Sequence, residues 1–159
     1  MKTTFHLFFS YFCNKINIEG MTGNRLYKFE KLCSRTMINN MFHGGKSAIC
    51  YPLRAVFSVT DKESTPAQFL ITVPKKKIRK AVNRVLLRRR IREAYRLNRN
   101  LLIPCLEDND CSLKIAFVYL SDEIVDYGVV NEKMQALMNK ISGMVSKDRS
   151  QGDVTQAEP

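Results

Sequence analysis

Residues 75–99, KKKIRKAVNRVLLRRRIREAYRLNR, hold twelve lysines and arginines against a single acid, Glu93. So much like charge in one place repels itself. A folded chain keeps it only where burial elsewhere in the segment, or an anionic partner, offsets the cost. The segment has the means for burial. At about 100° per residue, Leu87, Ile91, Ala94 and Leu101 fall on one face, with Tyr95 on its flank. Arg84, Arg88, Arg89, Arg92 and Arg96 lie largely on the other side. A disordered tail keeps no such stripe, and a merely solvated helix face mixes its charge signs. The expectation is a helix that lays one stripe into a core and projects guanidinium groups toward a polyanion.

The whole chain carries a formal net charge of +11 over 159 residues, which favours nucleic acid first and an anionic membrane surface second. At 45% hydrophobic residues it has the material for one real core. Its five cysteines are odd in number and show no C-x-x-C spacing, and only His6 and His43 add soft ligands. That pattern speaks against a zinc site and fits reduced thiols in a cytoplasmic protein. The apolar run Phe5–Phe12 is too short to span a bilayer, and no small-residue cleavage site follows it. Residues 1–20 are therefore expected to be an N-terminal extension, with Met21 an alternative start. The functional domain is expected over residues 21–145, and the polar residues 146–159 as a disordered tail.

Within the domain, Ser34 is placed to cap a helix carrying Met37, Ile38, Met41 and Phe42 at helical spacing, and Gly44-Gly45 ends it. Residues 51–59 then alternate, with Leu53, Ala55, Phe57 and Val59 on one face and Arg54, Val56 and Ser58 on the other. A second strand, AQFLITV, stops at Pro74. After the basic helix, CSLKIAFVYLS is almost continuously apolar and reads as a central strand. A last amphipathic helix turns Val130, Met134, Leu137, Met138 and Ile141 inward. Helix, strands, helix, strand, helix make an α+β layer domain.

Three of these pieces together resemble the protein subunit of bacterial ribonuclease P. They are VPKK (73–76) with the helix AVNRVLLRRRIREAYR (81–96), the segment KLCSRTMINNMFHGGKS, and the strand YPLRAVF. The resemblance spans about residues 27–141 and implies a two-layer α/β sandwich whose basic helix sits in a left-handed crossover. Periodicity could not have shown that hand, since the physical prior is right-handed. The resemblance places RNA contacts on Lys75, Lys76, Arg84, Arg88, Arg89, Arg92 and Arg96. It also places the single-stranded 5′ leader of precursor tRNA in a groove between the first helix and the sheet, at Ile38, Phe42 and Phe57 or its strand neighbours. From strand period alone, Phe57 fits core or groove equally. The chain departs from the family pattern at Val85 and Leu86, where an Asn and an Arg are usual, and at Ile38, where an aromatic is common.

The activity implied is that of a holoenzyme. Its catalytic RNA subunit uses Mg²⁺ to remove the 5′ leader of precursor tRNA, and the protein binds that RNA and the leader. The residues agree with a non-catalytic protein. No paired carboxylates share a helix face, no H-x-x-x-H occurs, and the D-x-D of Asp108 and Asp110 reads as a solvated acidic loop without a basic partner. A protein-only nuclease would need acidic metal ligands that the sequence does not offer. A DNA-binding reading lacks a helix-turn-helix pair before the basic helix. A general RNA-binding or ribosomal-type protein of the same fold is the remaining alternative, distinguished by whether precursor tRNA is processed with the catalytic RNA.

Overall fold

The alternation of residues 53–59 becomes a strand whose inward set, Leu53, Ala55 and Phe57, is fully buried. The computed structural model describes residues 25–152, with side chains through 148. The expected extension over residues 1–20 and residues 153–159 of the expected tail lie outside the described residues. A short 3-10 turn, Lys28–Glu30, leads into α1 (Arg35–Gly44), β1 (Lys46–Cys50), β2 (Leu53–Asp61) and β3 (Ala67–Thr72). The basic helix α2 (Ala81–Asn98) continues into a 3-10 turn (Arg99–Leu101). Then come α3 (Ile103–Asp108), the strand β4 (Cys111–Tyr119) and α4 (Tyr127–Gly152).

The four strands lie in the order β1-β2-β4-β3. β2 pairs antiparallel with both β1 and β4, whereas β3 pairs parallel with β4, so α2 is the crossover between two neighbouring parallel strands. β4 is central, which explains its nearly unbroken apolar run: from Cys111 to Phe117 every residue is buried. One face of the sheet packs against α2 and α4, joining Phe57, Ile115 and Phe117 to Leu87, Ile91, Met134 and Leu137. On the other face α1 stands alone over a smaller cluster of Leu32, Met41, Val56 and Ala116, flanked by Ile38 and Leu70. Gly45 makes that docking close. A Cβ there would lie 2.2 Å from the Met41 carbonyl oxygen and 2.8 Å from that of Phe57, so any side chain would push α1 off β2.

Four expectations are corrected. The expected strand over 51–59 is β2, and an unexpected strand, β1, precedes it, joined to it at Tyr51-Pro52 through a cis peptide bond. Leu101 is exposed because α2 ends at Asn98, and Leu102 takes the buried place instead. Residues 146–152 continue α4 rather than leaving as tail, and Asp148 pairs with Lys46 at the start of β1. Asp108 closes the short helix α3, and Asp110 meets the Lys62 ammonium at 2.5 Å, so that acidic stretch is neither all loop nor without a basic partner. Asp110 has a φ of 48°, the left-handed region that aspartate tolerates better than most residues.

Candidate nucleic-acid interface

The candidate interface begins in the loop before α2. Val73 and Ile78 are buried and pin both ends of it, and the amides of Lys77 and Ile78 donate to the Pro74 carbonyl at 3.1 Å. Lys75 and Lys76 are left at the exposed tip. The first turn of α2 has no acidic residue, and Lys80 gives it no side-chain cap. Its free amides and positive dipole end therefore add to the lysines, a combination that favours an anion.

Along α2 the burial follows the stripe. Leu87, Ile91 and Ala94 are fully enclosed, and Tyr95 packs its ring 4.6 Å from Phe69 and 5.4 Å from Phe117. Burial pushes the Tyr95 hydroxyl to a pKa well above the ordinary tyrosine value. Of the seven basic residues expected at the RNA face, Lys75, Lys76, Arg88, Arg89 and Arg92 are exposed. Arg84 and Arg96 are half-buried and engaged within the fold. Arg84 donates to the carbonyls of Ile78 at 3.0 Å and Arg79 at 2.5 Å, tying the loop to the helix. Arg96 pairs with Glu93 at 2.6 Å, and its hydrogen bond holds the Glu93 carboxyl below the usual range. Arg90 turns away from the band, donating to the Val125 carbonyl. Val82, Val85 and Leu86 stand exposed on the same helix, so the two positions that depart from the family pattern present aliphatic surface.

Where a groove between α1 and the sheet is expected, the structure places the lining residues differently. Ile38 faces the sheet from α1, and Phe42, one turn later, is 46% exposed. Phe57 is corrected: it is fully buried on the opposite face of the sheet, in the core against α2 and α4, and its ring cannot reach the groove. The pleat decides this, because Val56, not Phe57, shares α1's face. Register puts Ile49 and Arg54 on that same face as a cross-strand pair, with Val118 opposite Arg54 and Thr72 opposite Val118. Ile49 and Arg54 are both exposed. Sequence reasoning had Arg54 on the correct face but gave it no role, since nothing local marks which strand face a lone helix will cover.

Among the described residues no group of three or more His, Cys, Asp or Glu side chains gathers as a metal site, and no helix is long and apolar enough to cross a membrane. Cys33, Cys50, Cys105 and Cys111 stand outside any disulfide.

Residues 26–142 match the family model described as Ribonuclease P. The Ribonuclease P protein component of Porphyromonas gingivalis is 39% identical over 121 residues, covering 76% of this chain and 88% of that relative. The solved structure of the RNase P protein from Thermotoga maritima superposes with a TM-score of 0.56 at 25% identity, covering 69% of this chain and 96% of the other. The Staphylococcus aureus RNase P protein shares the fold at a TM-score of 0.56 and 12% identity, over 70% of this chain and 94% of its own. With its mixed four-stranded sheet, crossover basic helix and three-quarters of its length matched, the chain belongs to the ribonuclease P protein family.

Proposed function

We propose that this chain is the protein component of a ribonuclease P ribonucleoprotein, assisting a catalytic RNA subunit in removing the 5′ leader of precursor tRNA. The observation that carries the reading is the pairing of opposites on α2. Leu87 and Ile91 root the helix in the core, while Arg88, Arg89 and Arg92 stand exposed beside them. Such a band, continued by Lys75 and Lys76 at the helix start, suits the phosphates of a folded RNA. The groove beside α1 suits the leader: Phe42 offers a ring for an unpaired base, Ile38 an apolar floor, and Arg54 a guanidinium for a phosphate.

In this reading Mg²⁺, held by the RNA, supplies the activated water and stabilises the leaving oxygen. The protein binds, orients and neutralises. The test is reconstitution with the cognate catalytic RNA and a leader-bearing precursor tRNA at low Mg²⁺. Cleavage by the pair where neither component alone is active supports the reading. Cleavage by RNA-free protein, or no stimulation of the RNA at any Mg²⁺ concentration, overturns it.

A further inference from the structure

The N-terminal strap before α1 brings a second kind of surface to the basic helix. Arg25, Tyr27 and Phe29 form a tier. The Arg25 guanidinium lies 5.6 Å above the Tyr27 ring, and the Tyr27 and Phe29 rings stack at 5.3 Å with planes only 7° apart. Phe29 ends the tier with 46% of its surface open. Arg25 also lines an open pocket of about 660 Å³, whose other walls are Leu26, Arg89, Arg92, Glu93 and Arg96. Four guanidinium groups thus converge on one hollow with a single carboxylate, and Arg96 already engages that carboxylate.

The strap is fixed to the fold. The Leu32 amide donates to the Phe69 carbonyl at 2.9 Å along the free edge of β3, the Gln68 side chain donates to the Phe29 carbonyl at 3.0 Å, and buried Glu30 pairs with buried Arg99 at 2.5 Å. An open aromatic end and a wall of a cationic hollow thus belong to one fixed strap, and together they offer what holds single-stranded nucleic acid, a ring for a base and cations for a phosphate.

We infer that the strap and the second half of α2 form a subsite for unpaired RNA, with a base on the open ring of Phe29 and a phosphate of the same strand in the pocket of Arg25, Arg89 and Arg92. The inference rests on the RNA-binding reading above and extends it to residues outside both the helix band and the α1 groove. The unpaired nucleotide has two sources of the same chemistry, the catalytic RNA and the precursor leader.

The experiment uses the full chain and its Phe29→Ala, Phe29→Tyr, Arg25→Gln, Lys76→Ala and Arg88→Ala variants, with folding checked by circular dichroism. Affinity is measured across a salt series for catalytic RNA alone, and for the reconstituted holoenzyme with precursor tRNA bearing or lacking its leader. Phe29→Ala is expected to weaken binding about tenfold while Phe29→Tyr keeps it, as stacking requires. Arg25→Gln is expected to reduce the salt slope by about one phosphate's share. Loss with catalytic RNA alone assigns the nucleotide to that subunit, and loss only with leader-bearing precursor assigns it to the leader. Unchanged affinity and slope in Phe29→Ala and Arg25→Gln, with Lys76→Ala and Arg88→Ala still weakened, overturn the subsite and leave the function standing. No effect in any of the variants overturns both.

Discussion

The Arg99 guanidinium donates to the Glu30 carboxylate at 2.5 Å across 69 residues of sequence, with 1% and 3% of the two side chains exposed. The other Glu30 oxygen accepts the Tyr27 amide at 2.6 Å. One sealed carboxylate therefore locks the N-terminal strap to the far end of the basic helix. Removing one partner strands the other charge in the core, whereas removing both does not. Glu30→Ala is expected to cost about 3–5 kcal/mol. The pair of changes Glu30→Leu and Arg99→Met is expected to recover most of that loss. Urea denaturation of the single and the double variant checks it, and a double variant no better than the single would show that the strap is held by something else.

The band on α2 is expected to be separable from the core beneath it. Arg88→Ala, Arg89→Ala and Arg92→Ala should each stay within about 0.5 kcal/mol of the parent stability, because those side chains are exposed. Each should make the slope of log affinity for the catalytic RNA against log salt shallower by about one phosphate's share. Leu87→Ala and Ile91→Ala empty fully buried sites and should cost about 2–5 kcal/mol. Denaturation midpoints and RNA affinities measured together test both halves. Arginine variants that unfold while their folded fraction keeps the parent salt slope would make the band structural.

Phe42 and Phe57 are expected to behave as opposites despite their similar appearance in sequence. Phe42→Ala should leave stability nearly intact and lower holoenzyme affinity for leader-bearing precursor by about 1–3 kcal/mol, with mature tRNA unaffected. Phe57→Ala should lose about 3–5 kcal/mol of folding stability. Comparing leader-bearing and leaderless substrates for Phe42→Ala is the decisive measurement. An equal loss on both would move the leader elsewhere.

Tyr95 predicts an alkaline limit on stability. Burial raises the pKa of its hydroxyl in the folded state above the unfolded value near 10. Stability from keeping it protonated is fully present below about pH 10 and drains away as pH rises through the window above that, at up to about 1.4 kcal/mol per unit. Tyr95→Phe removes this contribution, so its stability should fall less steeply between pH 10 and 11 than the parent's. Identical pH slopes for the two proteins would mean that Tyr95 does not titrate on unfolding as its burial requires.

Where periodicity carried the information, the sequence was legible. The stripe of Leu87, Ile91 and Ala94, the alternation of Leu53, Ala55 and Phe57, and the central placement of β4 all follow from local spacing that the fold then uses. What sequence missed was set by distance. Glu30 and Arg99 look like ordinary surface charges until the chain brings them together. Phe57 was ambiguous because a period-2 pattern divides a strand into two faces without saying which one the lone helix α1 will cover. Arg84 and Arg96 shared the helical side of the band, yet carbonyls of the preceding loop claim the first and Glu93 the second. Sequence counts cations on a face, and only the neighbours decide how many remain available to a ligand.

The parallel pairing of β3 with β4 also governs the order in which a nascent chain can fold. As the polypeptide leaves the ribosome, β1 and β2 can close as a hairpin at once. β3 must wait for a neighbour that lies beyond the whole basic helix, and until residues 111–119 emerge the stripe of Leu87 and Ile91 lacks the central strand of the core it closes. Such non-local closure is slow compared with local pairing. The most cationic helix of the protein is thus synthesised before the strand and the last helix that complete its core. A chain halted before Cys111 lacks two of the three strand pairings of the sheet.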